Sequence, residues 1–186
     1  YESPEAQGLG ETMISFWNVM NTKQHFAKCG CYHSHVTILE KIIKNKMDMV
    51  LICEDDAIQV KDIPEFRNKK QLDGVIYLGG FIHNKQITSN EKVDIDHKIG
   101  LNELDKDKYR MCMTLSYLIP KWEIAEEILQ NIFKKEPLRI RAIDIDLSNN
   151  APKIYYEYPA CFIEESGESS IRDNKTKHSN EKYEWK

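Results

Sequence analysis

No apolar run in the sequence approaches the ~20 residues that a membrane-spanning helix needs. The first residues, Tyr1-Glu2-Ser3-Pro4, lack the charged-then-apolar pattern of a secretory signal. Blocks of like charge are missing too. The formal net charge is -4, with Lys and Arg mixed among Asp and Glu, so no field builds up that would hold a nucleic acid. Internal repeats, low-complexity blocks and domain boundaries are absent, and glycine never takes the fixed spacing of a Walker or dinucleotide-binding loop. The 5 cysteines (Cys29, Cys31, Cys53, Cys112 and Cys161) are odd in number and scattered, not set out as a disulfide framework. A reducing, cytoplasmic compartment fits them better than secretion. What is present is 186 residues, 41% hydrophobic and 30% charged, enough for one globular domain over 1–186 with a real core.

Hydrophobic periodicity sketches the elements. Leu9 to Ala27 mixes aromatic and polar residues, with Ile14, Trp17 and Met20 at helical spacing. From about Cys31 to Asn45 the stripe Cys31, His35, Ile38, Leu39, Ile42 predicts a helix with one core-facing side. Met49-Val50-Leu51-Ile52-Cys53 predicts a short buried strand, Asp62-Ile63-Pro64 a helix start, and Asp73 to Gly80 a second buried strand ending in a glycine pair. Phe81 to Lys108 is polar and irregular, the pattern of a long loop that is functional or mobile. Met111 to Ile119 predicts a strand. Pro120 opens a helix with Trp122, Ala125, Ile128, Leu129, Ile132 and Phe133 along one side, and Ile154 to Tyr158 predicts a last strand. The polar tail 174–186 reads as peripheral. Strands alternating with helices predict an α/β fold, a mostly parallel central sheet flanked by helices.

The feature richest in chemistry is Glu54-Asp55-Asp56, directly after the first buried strand. In open α/β sheets ligands bind beyond the carboxyl ends of the strands. Alternation lets Glu54 and Asp56 point the same way while Asp55 points elsewhere. Two convergent carboxylates there suit a hard divalent cation, Mg²⁺ or Mn²⁺, with phosphates completing its shell. A solvated acidic loop, or a carboxylate capping a following helix, is the alternative.

Other constellations admit two readings each. Cys29, Cys31, His33 and His35 alternate, so on a strand they would share a face and zinc would be conceivable; on a helix only Cys31 and His35 align, too few for a closed cage. Gly30 reads as a tight backbone position where the helix begins. His35 either hydrogen-bonds behind the acidic strand or faces a phosphate or ribose. Gly79 and Gly80 would let backbone approach a ligand closely. Asp144 and Asp146 alternate with apolar residues; if extended they share a face and one can act as a general base, and otherwise Asp144 caps a short helix. Glu164-Glu165-Ser166 to Ser169-Ser170-Ile171 is either a loop closing over a sugar or phosphate, or plain solvated loop.

These pieces, in this order, resemble glycosyltransferase family 25, the lipopolysaccharide and collagen sugar transferases. The resemblance rests on Gly30-Cys31-Tyr32-His33-Ser34-His35 leading a helix, then Val50-Leu51-Ile52-Cys53-Glu54-Asp55-Asp56-Ala57. It continues through Asp73 to Gly79, Ser116-Tyr117-Leu118-Ile119-Pro120, Ile143-Asp144, and Tyr158-Pro159 leading to Ser169-Ser170-Ile171. The Lys- and Asn-rich character also looks like capsid-glycosylating transferases of large DNA viruses such as the chlorella viruses, which would act in the host cytoplasm. The resemblance implies a GT-A-like nucleotide-sugar transferase fold in a single domain. It implies Mn²⁺ or Mg²⁺ at Glu54 and Asp56, a nucleotide-sugar donor such as a UDP-sugar, and a glycan or glycoprotein acceptor. Donor contacts would fall at Gly30, Ser34, His35, Asp55, Gly79 and Gly80, and the catalytic base at Asp144 or Asp146. Family members open with a base-binding strand carrying an Asn-Leu and Arg signature; nothing before Lys28 displays it, so no base-binding residue is assigned.

Overall fold

The computed structural model describes residues 23–66, 72–86, 95–134 and 142–165, with side chains from 28 onward. The first element is α1 (Lys23–Asn45), which is already helical well before Cys31, so Gly30 lies inside it and not at its start. Its buried stripe is Cys29, Tyr32, His35, Val36, Leu39 and Ile42, the i, i+3, i+4, i+7 spacing of one helical face. It ends in a Schellman turn: Met47 N donates to Ile42 O at 3.0 Å and Lys46 N to Ile43 O at 3.1 Å, with Lys46 left-handed at φ 50°.

The remaining elements are β1 (Val50–Cys53), β2 (Ala57–Gln59), β3 (Val75–Asn84), β4 (Gly100–Glu103) and β5 (Tyr109–Ile119), then α2 (Trp122–Phe133), α3 (Ile143–Asn150), β6 (Ile154–Tyr158) and β7 (Phe162–Glu164). Five strands form one sheet in the order β1-β5-β3-β6-β4, and β2 pairs with β7 in a small ribbon. The mostly parallel sheet expected from the sequence is corrected here. Only β3 and β6 run parallel; β1–β5, β3–β5 and β4–β6 are antiparallel. A strand buried on both faces is apolar throughout whichever way it runs, so β5 carries no mark of direction. β1, β3 and β6 still point the same way, which keeps the acidic turn at a carboxyl edge shared by three strands.

Two further expectations change. Residues 61–66 form no helix; Val60 N donates to Cys161 O at 2.9 Å, and Ile63 and Phe66 lie against the second core. Within the stretch 81–108, β3 runs on to Asn84 and β4 occupies Gly100–Glu103, so these parts are strand and not irregular loop, while 87–94 lie outside the described residues. Residues before 23 and residues 166–186, which include the Ser166 to Ile171 part of the candidate closing loop and the tail 174–186, lie outside the described residues.

Among the described residues the helices do not flank the sheet on both faces. All three pack on one face, where Tyr32, Leu39, Ile128 and Leu147 meet Ile52, Val75, Tyr77, Tyr117 and Ile119. The opposite face carries a second core of Leu72, Ile76, Leu78, Leu115, Leu118, Cys161 and Phe162. Alternation along β5 puts Tyr117 and Ile119 toward the helices and Leu118 away. Leu115 breaks the rule by joining Leu118. The cause is a register break, in which Gly79 pairs with Ser116 but Phe81 pairs with Cys112. The left-handed Met113 (φ 69°) and Gly80 (φ 117°) sit at that break.

The glycine pair answers to this pairing. A Cβ on Gly79 would stand 2.9 Å from the Phe162 carbonyl oxygen, and one on Gly80 2.8 Å from the Cys112 carbonyl oxygen. The close approach is to neighbouring backbone. Gly30 has nothing within 4 Å of a built Cβ and is exposed. Gly79→Ala is therefore expected to cost about 1–3 kcal/mol through overpacking. Gly30→Ala should gain about 0.5–1 kcal/mol, because glycine is a poor residue inside a helix. Urea denaturation of the two variants checks both; a neutral Gly79→Ala would contradict the close β3–β7 packing.

Candidate active site at the end of the first strand

β1 delivers the acidic triplet into a turn. Glu54 N donates to Leu115 O at 2.9 Å, and Ala57 N returns to Glu54 O at 3.2 Å, closing Glu54–Ala57. Glu165 N then donates to Asp56 O at 2.8 Å, fastening the turn to the β2–β7 ribbon. Strand alternation stops at this turn, so the turn itself brings Asp56 into the field of Glu54.

Glu54 points into the helix side of the sheet. His35 Nε2 stands 3.5 Å from Glu54 Oε1, and His35 Nδ1 shares a 2.7 Å hydrogen bond with the Tyr117 hydroxyl. The Thr114 hydroxyl donates to the same Glu54 oxygen. Cys31 and His35 sit one turn apart on α1, and their ligand atoms with a Glu54 oxygen all fall within 4.8 Å of one another. Of the two readings of His35, the buried one holds: it is 4% exposed and hydrogen-bonded behind the acidic strand. Ser34 faces outward and donates to Gly30 O at 2.9 Å within its own helix.

Asp56 and Asp144 complete the acidic group. Burial pushes the Asp56 carboxyl up from its ordinary range, with Glu54 and Glu164 adding to the rise. Its Oδ1 is buried with no hydrogen-bond partner among the described residues. Asp55 is exposed at the turn. The Cys31 thiol, half buried, is pushed up to about 11 by burial first, then by Glu54 and Asp144. Three carboxylates from two separate segments (Glu54 and Asp56 from the acidic turn, Asp144 from α3) thus act on one thiol.

The segment 143–150 is helical, so Asp144 and Asp146 do not share a face as an extended chain would allow. Asp144 Oδ2 accepts Met113 N at 3.0 Å and its Oδ1 accepts Ile145 N at 2.8 Å. One turn on, Ser148 Oγ accepts Met111 N at 3.0 Å. Past the end of β1, α3 therefore takes the free edge of β5, matching its i, i+4 spacing to i, i+2 of the strand. Asp146 is buried instead and accepts the Tyr32 hydroxyl at 3.0 Å, tying α3 to α1.

Sequence reasoning missed Thr114 and Tyr117 as site residues and weighed Cys31 only as one of too few zinc ligands. Thr114 lies hidden in an apolar strand, and only the β5 register break turns it toward Glu54. The i, i+4 spacing of Cys31 and His35 was the usable signal.

The charge crowding has a consequence for stability. A carboxyl raised in the folded state favours folding below its unfolded pKa and loses that contribution as pH rises through the folded value. Asp56→Asn should therefore melt higher than the wild type at about pH 7, without divalent cations, and the gap should close toward about pH 4. Thermal melts at both pH values test this, and a lower melting point for the variant at neutral pH would contradict the crowding.

Among the described residues no helix is long and apolar enough to cross a membrane. No curated protein and no solved structure matches the chain significantly. The profile of glycosyltransferase family 25 (LPS biosynthesis protein) matches residues 13–147, well over half of the chain, taking in α1, the acidic turn, the β5 break and Asp144. β6 and β7, with Glu164, lie beyond the match. The chain belongs to glycosyltransferase family 25 and is a glycosyltransferase.

Proposed function

We propose that the enzyme takes its sugar from a nucleotide-diphosphate sugar, a UDP-sugar, and passes it to a hydroxyl of a glycan or glycoprotein, with Mn²⁺ or Mg²⁺ held by Asp56 and Glu54. The observation that carries this reading is the Asp56 carboxylate, whose buried Oδ1 lacks a partner among the described residues and whose proton affinity is raised by burial and neighbouring acids. An all-oxygen pair of this kind fits a hard cation. When bound, the cation offsets the charge that develops on the departing nucleotide diphosphate.

The chain's own residues supply position and a proton acceptor. Glu54 is fixed from three sides, by the Leu115 carbonyl on its backbone N–H, by the Thr114 hydroxyl and by the neighbouring His35. A carboxylate held this way needs little reorganisation when it meets charge. Asp144 takes the acceptor hydroxyl's proton. Its two backbone hydrogen bonds hold it at the β5 edge, half-buried, with lone pairs remaining for an incoming hydroxyl. Asp146, turned toward Tyr32, serves the α1–α3 contact. Asp55 and Ser34, both exposed, are left for polar contacts with the donor. The free thiols of Cys29, Cys31, Cys53, Cys112 and Cys161 favour a reducing, cytoplasmic place of action.

UDP-, GDP- and dTDP-sugars titrated with Mn²⁺ present, by calorimetry and by slow donor hydrolysis, test the assignment. Binding is expected for one donor class and should be lost in Asp56→Ala. If no nucleotide sugar binds, the donor assignment fails; if binding survives Asp56→Ala unchanged, the cation assignment fails. Asp144→Asn should keep donor binding and lower transfer on the order of 10²-fold or more. An equal loss in Asp146→Asn, with the fold intact by circular dichroism, would move the base to Asp146.

A further inference from the structure

We propose that Cys31, His35 and Glu54 form a site for a thiophilic divalent cation of the zinc class, distinct in chemistry from the hard-cation pair at the acidic turn. The sulfur, imidazole nitrogen and carboxylate oxygen come from two elements that pack side by side, and all lie within 4.8 Å of one another. Bonds of about 2.0–2.3 Å in a tetrahedron place ligand atoms roughly 3.3–3.8 Å apart. His35 Nε2 and Glu54 Oε1, at 3.5 Å, already meet that spacing. Cys31 needs a side-chain adjustment of no more than about 1.5 Å.

The surroundings match what such a ligand set requires. A metal-bound imidazole characteristically gives its other ring N–H to an oxygen that fixes tautomer and orientation. His35 Nδ1 has the Tyr117 hydroxyl at 2.7 Å for this purpose, and the two rings stack at 5.6 Å. Tyr117 is wholly buried and cannot swing away. The donor set of one sulfur, one nitrogen and one oxygen is softer than two carboxylates, and it ranks zinc above Mg²⁺ or Mn²⁺. The Cys31 thiol releases its proton to solvent on coordination, so affinity rises with pH. A fourth position stays open for water. Glu54 belongs to both ligand sets, so a soft cation here draws a carboxylate away from the acidic turn.

This proposal does not rest on the transferase mechanism, and its readout is the spectrum of the metal alone. Co²⁺, a spectroscopic stand-in for zinc, is titrated into the metal-free full chain. A near-ultraviolet sulfur-to-cobalt charge-transfer band is expected, saturating at one cobalt per chain and disappearing when Zn²⁺ is added. Cys31→Ala and Cys31→Ser should both lose the band, while Cys53→Ala, which removes an exposed thiol, should keep it. Tyr117→Phe should weaken cobalt binding about 10–100-fold while keeping the band at saturation. Circular dichroism confirms that each variant is folded. A wild type without the band, or a folded Cys31 variant that retains it, overturns the proposal; cobalt bound without thiolate character assigns it to the carboxylates alone.

Discussion

Strands β1 and β3 hold β5 between them along Ser116–Ile119, but only β3 follows it further, and there the pairing slips between Ser116 and Cys112. Three consecutive residues in that slip carry the site. The Leu115 carbonyl accepts the Glu54 N–H, the Thr114 hydroxyl donates to the Glu54 carboxylate, and the Met113 N–H donates to Asp144. A strand in strict alternation would have set Leu115 on the helix side and Thr114 against the opposite core. The bulge reverses this. A polar side chain then meets the acid that needs it, and a leucine fills the apolar face. Bulges re-aim side chains in this way beside active sites. Here the cost falls on Met113, a non-glycine residue with positive φ, and on the need for glycine at position 80.

The same geometry concentrates charge. Glu54, Asp56 and Asp144 come from a strand end, a turn and a helix start, and Glu164 adds to them from β7. Gathered carboxylates destabilise a fold unless something compensates, and the raised proton affinity of Asp56 marks a place where function outweighs stability. The counterweight is the apolar body below. Tyr77, Tyr117, Leu39, Ile42 and Ile119 are almost wholly buried beneath the site, so the rigid platform does not depend on the acids repelling one another less.

How far the sequence could be read follows from which signals are local. The helical period of α1 and α2 and the acidic triplet at the end of β1 are set by neighbours in the chain, and they were legible. On α1 the reading caught His35, Leu39 and Ile42 but set Cys31 and Ile38 where Cys29, Tyr32 and Val36 are buried. Strand direction was not, because β5 is buried on both faces and reads the same forwards and backwards. Ile143-Asp144-Ile145-Asp146 satisfies a period of two, yet the segment is helical: the α3 side chains cap an orphan strand edge that no local pattern reveals. The glycine pair was visible, but its reason was not. A close approach to a ligand and a close approach to Phe162 leave the same mark on a sequence.

Helical spacing decides two contacts that a strand pattern would have scrambled. On α1, the i, i+4 step from Cys31 to His35 lets both reach Glu54. On α3, the i, i+2 step from Asp144 to Asp146 turns them to different neighbours, one to β5 and one to Tyr32. Tyr32 lies next to Cys31 on α1, so the α1–α3 hydrogen bond also fixes the rotation of the helix that presents Cys31 and His35. Loosening Asp146 would rotate that face and disturb Glu54 from a distance, without touching a ligand. The acidic turn, with the Cys31 thiol and the His35 imidazole beside its Glu54, thus depends on how α1 is held. The side from which Glu54 is approached sets whether it meets a hard cation or a soft one.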